Sequence, residues 1–433
     1  MDLNEKKIDV LTIGYYADFA RFFDLIAKRS LQINSKLTFQ HINLHLSGQV
    51  YSFIHRQKAF YLPYRAHKTK SDKNNLSSQE KAFYRQFISY HIRLVPKINE
   101  DELILQARKY FNYLKFFFDK TQPKLIILSG DSRMPAEIIL FLAREMGVKI
   151  IHFEQAPLGR TILDPQGVNA NCSFKDANVF ASHTQPVKPV NFVRRKKWQG
   201  YKKYRAIDIL VEKFAPSLQS IEHKRPVRKV VDNQCYQLAT TKSYKLSEIA
   251  GKKIFLLVLQ VPDDVNMIYH SPWFSNHFDI VKAVYHALPD DSILIIREHP
   301  LYKRLYEDLL YIFIGEHKNV FFDQSDSLNQ AISNCKVVVV NNSTVGLEAI
   351  ELGKPVVVLG NAYYDECEFC IKYQGKDLKG ILRAALDMPS LEGNKREKYL
   401  SFLFNDMFID GHFRDVDGPA PDNIAKWINN NVV

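Results

Sequence analysis

The sequence predicts an α/β protein of two Rossmann-like domains built on parallel sheets, and three observations carry that prediction. The chain has 433 residues, more than one hydrophobic core ordinarily serves. Unbroken apolar runs recur at Lys124–Leu128 (KLIIL), Lys253–Gln260 (KIFLLVLQ) and Lys336–Val340 (KVVVV), the pattern of strands covered on both faces. Stretches with helical periodicity separate them, as crossover connections require. The domain reading is 1–185, a basic connecting region 186–246, a second domain 247–385, and C-terminal helices 386–433 packing back across the domains.

In the first half, Asp9–Tyr16 (DVLTIGYY) reads as a buried strand running into an amphipathic helix over about Asp18–Lys28. Leu37–Leu46 alternates as a second strand. Glu100–Lys120 is a long helix whose crowded stripe of Tyr110, Phe111, Tyr113, Leu114 and Phe117 is core rather than a ligand box. KLIIL then leads through SGDSRMP into a helix from Ala136 to Met146, stopped by Gly147 and followed by a strand at Val148–Phe153. Ligands of such sheets sit at the carboxyl ends of strands, so the loops beginning at Ser129 and Glu154 are candidate site walls. The stretch GRTILDPQGVNANCSF after Leu158 has Gly, Pro and Asn where regular structure disfavours them, and is read as a structured loop.

The second half carries strands at Lys253–Gln260, Ser292–Arg297, Val320–Phe322, Lys336–Val340 and Pro355–Leu359. Helices are expected at Asn276–Ala287, Leu301–Phe313, Leu328–Ser333 and Val345–Leu352, completing a second doubly wound sheet. No internal repeat or low-complexity tract is found.

Composition narrows the function classes. Hydrophobic residues make up 46% and charged residues 24%, ordinary values for a globular chain. No apolar run reaches the roughly 18 residues of a membrane span, and MDLNEKKIDVLTIG does not read as a secretory signal, so a cytoplasmic protein is expected. Five cysteines fit reduced thiols better than a disulfide framework, and the Cys367/Cys370 CxxC lacks the second pair or histidines of a zinc site; two packing cysteines and no metal are expected. The net charge is +12, concentrated in RRKKWQGYKKYR (Arg194–Arg205) and HKRPVRK (His223–Lys229). That surface suits a polyanion such as an anionic membrane or an acidic glycan, or else is a solvated connection. No nucleic-acid-binding motif accompanies it, and no nucleic acid partner is expected.

Two constellations carry specific chemistry. Arg297-Glu298-His299-Pro300 lies at the end of a predicted strand, where a rigidly held imidazole can donate to a phosphate or ribose oxygen beside the Arg297 charge. Asn341-Asn342-Ser343-Thr344-Val345-Gly346-Leu347-Glu348 joins KVVVV to a helix whose N-terminal N–H groups, with a Ser/Thr hydroxyl, suit a phosphate or simply form a cap. No GxGxxG follows the first strand and no GxxxxGK[ST] occurs, which disfavours dinucleotide oxidoreductases and P-loop NTPases. Two Rossmann-like halves facing a central cleft, with a nucleotide-type site in the second, describe a GT-B-like glycosyltransferase.

At this point the chain resembles the bacterial capsule polysaccharide biosynthesis proteins of the KpsC/KpsS type, the β-Kdo glycosyltransferases. The resemblance is carried by Glu154 with DPQGVN (Asp164–Asn169), LQVPDD (Leu259–Asp264) with His270-Ser271-Pro272, REHP, and NNSTVGLEAIELGKPVVVLGNAYYD (Asn341–Asp365), in order over about residues 125–365. It implies a donor CMP-Kdo, a glycan or lysophospholipid-linked acceptor, retention of configuration through a covalent glycosyl-enzyme, and work at the inner face of the cytoplasmic membrane beside other capsule-assembly proteins. The first domain would then take the acceptor and the second the donor. No cofactor is implied beyond the nucleotide sugar, which is a substrate.

By the same resemblance Asp164 is the candidate nucleophile, although an Asp before Pro is also a common turn starter, and Glu154 is the acid/base partner or orients the acceptor hydroxyl. The donor set is Gln260, Arg297, His299, Pro300, Asn342, Ser343, Thr344, Gly346 and Glu348. Arg133 is set against the sugar carboxylate and Asn169 against sugar or acceptor. Arg297 stands where the family pattern has Lys, and QAPLGR after Glu154 departs from its glycine-bearing version, which leaves the acceptor end open. Alternatives are a GT-B transferase using CMP-sialate or CDP-glycerol, and a non-catalytic capsule-assembly or export protein.

Overall fold

The computed structural model describes residues 7–68, 76–190, 202–215, 220–242, 249, 251–388, 393–415 and 417–432. Of the basic run at 194–205, residues 194–201 lie outside the described residues. The chain forms two compact units, the first of residues 1–168, 190–225 and 403–433, the second of 169–189 and 226–402. The segment read as a connecting region is therefore divided between the units, as are the residues after 386.

The first sheet uses β1 (Val10–Gly14), β2 (Phe39–Asn43), β3 (Ala59–Tyr61), β4 (Leu125–Ser129), β5 (Lys149–Ala156) and β6 (Arg160–Asp164). The second uses β7 (Lys253–Val258), β8 (Ser292–Arg297), β9 (Val320–Phe322), β10 (Val337–Val340), β11 (Val356–Val358) and β12 (Cys370–Lys372). A last strand, β13 (Phe408–Asp410), returns to the first sheet.

The first sheet runs β13-β6-β5-β4-β1-β2-β3. Its centre is parallel, while β5–β6 and β6–β13 are antiparallel. Every residue of β1 and β4 is buried because helices cover both faces. Successive side chains point to opposite faces, so Val10, Leu125 and Ile127 meet Phe22, Phe23, Ile424 and Ile428 on one side. Leu11, Ile126 and Leu128 meet Leu103, Tyr110, Phe117 and Ile138 on the other. The helix Glu100–Thr121 thus buries its aromatic stripe in this core; Asn99 caps it through the Glu102 N–H at 3.2 Å, and Gln122, with φ of 42°, ends it.

The sequence reading differs from this sheet at its antiparallel edge. RTILD, taken as part of an irregular loop, is β6, folded onto β5 through a tight turn in which Leu158 and Gly159 have φ of 54° and 77°. The hairpin supplies hydrogen bonds that the flanking Gly, Pro and Asn conceal in the sequence.

The second sheet runs β12-β11-β10-β7-β8-β9 and every pairing is parallel. Its core gathers Phe255, Leu257, Leu294, Ile296, Val337, Val339 and Val357 under Ile280, Val284, Leu310 and Ile314. The helix expected at 301–313 begins only at Asp308. Before it the chain makes consecutive turns, Tyr302 N–H to His299 O at 2.8 Å and Leu305 N–H to Tyr302 O at 3.1 Å, with Arg304 at φ of 66°.

Candidate functional site

In the second unit the chemistry-bearing segments meet at the carboxyl ends of β7, β8 and β10, where doubly wound sheets take ligands. Gln260, just past β7, is buried, and its Oε1 accepts the Asn342 N–H at 3.4 Å. The Tyr306 hydroxyl donates to the Gln260 carbonyl at 3.2 Å and accepts the His299 N–H at 3.0 Å, locking the loop after β7 to the loop after β8. Asn342 Nδ2 donates to the carbonyls of Asn266 and His270, both at 2.9 Å, drawing in the HSP segment. Gln260 Nε2 and Asn342 Oδ1 are buried and have no hydrogen-bond partner among the described residues. Two such orphans on residues that meet at one strand end, each costly to leave unpaired, suit a ligand that both accepts and donates.

Around them the sequence-predicted residues take different places. His299 is half-buried; burial holds its pKa below the usual value, against the pull of Asp264, so the ring is neutral at physiological pH. Its Nδ1 accepts the Leu301 N–H at 3.3 Å, which leaves the Nε2 side as the N–H donor. Pro300 sits in the turn that follows. Arg297 does not present an uncommitted charge, because its guanidinium donates to the buried Asp323 carboxylate and, at 3.5 Å, to the Ser325 carbonyl.

Ser343 Oγ accepts the Val345 N–H at 3.3 Å, whereas exposed Thr344, at the N-cap, makes no capping bond. Glu348 lies in the first turn of that helix. Gly346 has a packing reason for being glycine, since a Cβ there would lie 2.6 Å from Cε2 of the fully buried Tyr364, whose hydroxyl donates to the Ser343 carbonyl. The block's final Asp365 is buried between Lys175 at 3.3 Å and Lys372 at 2.9 Å and accepts the Ala362 N–H at 2.9 Å, an internal ion cluster. Cys367 and Cys370 are free thiols with their sulfurs 3.5 Å apart.

In the first unit, Asp164 ends β6 and is buried. Its Oδ1 accepts the N–H groups of Gln166 at 2.8 Å and Gly167 at 3.1 Å, and Asp131 Oδ2 accepts the Val168 N–H at 3.2 Å, so two carboxylates shape the DPQGV turn. In the hairpin register His152 opposes Asp164 and Glu154 opposes Ile162. Directly opposed residues share a face and so do residues two apart, which puts Glu154, His152 and Asp164 on one face of the hairpin. Burial holds the His152 pKa down against the pull of Asp131 and Asp164. Glu154 is half-buried, and its Oε1 accepts the Gln155 N–H at 2.9 Å.

Arg133 is the N-cap residue of the helix Met134–Glu145, without a side-chain capping bond, and its guanidinium lies 4.8 Å from the centre of the Tyr15 ring. Asn169 opens the second unit's share of the chain with φ of 53°. The first unit also holds a group that no motif announced. His45 stacks on His223 with ring centres 3.9 Å apart, Tyr16 lies 4.4 Å from His45, and Arg205 covers the Tyr16 ring at 3.5 Å. HKRPVRK is accordingly engaged rather than wholly solvated, for Arg228 also makes a two-pronged pair with Asp263 at 2.6 and 2.8 Å.

Among the described residues no group of three or more His, Cys, Asp or Glu could hold a metal ion, and no helix is long and apolar enough to cross a membrane.

Residues 125–370, more than half of the chain, match the family described as "Capsule polysaccharide biosynthesis protein". Protein FixF of Sinorhizobium fredii is 35% identical over 164 residues, 36% of this chain and 38% of FixF, so the chain spans well under half of that relative. The capsule polysaccharide export protein KpsS of Escherichia coli is 24% identical over 274 residues, 55% of this chain and 68% of KpsS. Among solved structures, Thermosulfurimonas dismutans KpsC, a beta Kdo 2,7 transferase, is similar with a TM-score of 0.44 at 14% identity, covering 98% of this chain and 99% of that one.

Proposed function

Because the chain belongs to the capsule polysaccharide biosynthesis protein family, we propose that it is a retaining glycosyltransferase that moves Kdo from CMP-Kdo to a lipid-linked or glycan acceptor. The observation that carries this reading is the placement of Glu154 and Asp164 on one face of the β5–β6 hairpin. Diagonal neighbours in an antiparallel pair have their backbones roughly 7 Å apart, within reach of each other's side chains, so the two carboxyl groups can turn toward one sugar centre and close to the roughly 5 Å that retention requires.

In this reading Asp164 attacks the anomeric carbon, the bond to the phosphate oxygen breaks, and CMP leaves with the bonding pair. Glu154 then takes the proton of the acceptor hydroxyl as that oxygen displaces Asp164, so configuration is retained over two inversions. Gln260, His299, Asn342 and Ser343 hold the nucleotide, the neutral His299 donating from Nε2, and Asn169 meets sugar or acceptor. The phosphate is already a good leaving group, so its departure needs charge stabilisation more than a proton. The acceptor works beside an anionic cytoplasmic membrane surface.

The test incubates purified protein with CMP-Kdo generated in place and a panel of lipid-linked Kdo acceptors, reading CMP release and product mass. Release with a matching β-linked product supports the reading. Absence of release with every acceptor overturns it in favour of another donor, such as CMP-sialate or CDP-glycerol, or a non-catalytic role in capsule assembly or export.

A further inference from the structure

The carboxyl ends of β1, β2 and β4 in the first unit converge on a group of which the sequence reading assigned only Arg133, to the sugar carboxylate, and left the rest without a role. Three helices of 17, 9 and 12 residues begin there, at Ala17, Leu46 and Met134, and their N-cap residues are Tyr16, His45 and Arg133. None of the three caps donates or accepts a capping hydrogen bond through its side chain. The positive ends of three helix dipoles therefore share one location.

Three guanidinium groups join them. Arg133 lies over Tyr15 and, at 5.7 Å, Tyr90; Arg205 lies over Tyr16; Arg225 hydrogen-bonds the Tyr16 hydroxyl. All three act electrostatically on Tyr16 and on His45. Asp208 and Glu222 are acids that lie beside them. Asp208 accepts from Arg205 at 3.3 Å and from the Ser47 N–H at 3.0 Å, and Glu222 is turned to the Tyr110 hydroxyl and lies 3.7 Å from His223. Burial pushes the Glu222 carboxyl up to about 7, so at neutral pH it carries only part of a charge.

A second observation points to a ligand. His45 is 6% exposed, and its Nε2 has no hydrogen-bond partner among the described residues. Burial and the surrounding cations hold both His45 and His223 neutral, so His45 can present an N–H without adding charge.

We propose that this cluster is an oxyanion-binding site, in which Arg133, Arg205 and Arg225 hold a phosphate or carboxylate of a ligand and His45 donates to it beside the stacked His45–His223 pair and the tilted Tyr16 ring. Guanidinium forks match both anions in planar geometry, and helix N-termini reinforce them. The site lies wholly in the first unit and does not depend on which donor the protein uses.

Isothermal titration of the full chain tests this with three probes at millimolar concentration: inorganic phosphate, glycerol 3-phosphate as a lipid-headgroup analogue, and glucuronate as a sugar carboxylate. Wild type binds at least one, and Arg225→Gln and Arg205→Gln each weaken it tenfold or more while melting as wild type does. Preference for glycerol 3-phosphate assigns the anion to a phosphate ester, and preference for glucuronate to a sugar acid. Should Arg225→Gln not fold, Arg205→Gln, whose side chain is 43% exposed, carries the test. No binding of any probe, or affinity unchanged in the folded variants, overturns the proposal.

Discussion

Asp164 has two possible duties, and a pair of substitutions separates them. As a turn former its Oδ1 holds the Gln166 and Gly167 N–H groups at 2.8 and 3.1 Å; as a nucleophile it needs the charge of the carboxylate. Asp164→Ala removes both duties. Hydrogen bonds to a charged acceptor are worth about 1.5–3 kcal/mol each, so losing two costs about 3–6 kcal/mol. At about 2–4 °C per kcal/mol for a unit of this size, the melting temperature falls by roughly 10 °C. Asp164→Asn keeps an Oδ1 acceptor for the same two N–H groups and costs about 1 kcal/mol, since only the charge assistance is lost. It cannot form the glycosyl ester, and CMP release falls about 10⁴-fold, the scale seen when a member of a catalytic group is removed. Melting curves and CMP release are therefore read on both variants. An Asn variant that melts near wild type and retains more than a tenth of the rate refutes the nucleophile and leaves Asp164 as a turn residue. Loss of rate in the Ala variant alone decides nothing, because a collapsed turn produces it too.

Acid should destabilise the first unit. Burial pushes His41, His91 and His223 down to about 3, so below pH 6.5 the unfolded chain takes up protons that the native state refuses, and stability present above pH 6.5 is lost as pH falls. Between pH 7 and 4.5 each costs about 2–3 kcal/mol, while Glu222, raised to about 7, returns about as much as one of them costs because the native state keeps its proton. A melting temperature several degrees lower at pH 4.5 than at pH 7 is expected, and an unchanged one contradicts the burial of these rings. Gly346→Ala forces a Cβ against Tyr364 and should destabilise the second unit by about 1–3 kcal/mol; full stability with weakened donor binding would instead make Gly346 a donor contact. Tyr306→Phe unties the His299 N–H from the Gln260 carbonyl, so the donor KM should rise several-fold with kcat less affected, and a selective fall in kcat contradicts a positioning role.

Legibility in the sequence followed the range of the forces involved. β1, β4, β7, β8 and β10 are visible because burial on both faces makes each a run of apolar residues, a property of consecutive positions. Edge strands have weaker local signals. β6 is half-buried among turn residues, β12 is three residues long, and β13 becomes a strand only by pairing Phe408, Ile409 and Asp410 with Ile162, Thr161 and Arg160 far back in the chain. The motif blocks were visible as words, but their contents divide once the contacts are known. Gln260 and Asn342 meet across strand ends and Tyr306 ties His299 to Gln260, whereas Gly346 and Asp365 answer to Tyr364 and to two lysines.

The same range argument explains why the arginine and histidine cluster had no motif. Its members come from four separate segments, Tyr15–Tyr16, His45, Arg133 and Arg205–Arg225, and only the strand order β4-β1-β2 makes the first three neighbours. In the sequence, Arg205 and Arg225 read as parts of basic runs, and His45 as one of fourteen histidines. What changes their meaning is confinement: a guanidinium in solvent is screened, but three of them sharing buried rings and helix N-termini repel one another in a poorer dielectric. Of the carboxylates beside them, Glu222 tends toward its neutral form and Asp208 is shared between Arg205 and the Ser47 N–H. An anionic ligand supplies further compensation, so its binding should also raise the melting temperature of the first unit, and that gain should shrink as added salt screens the cluster.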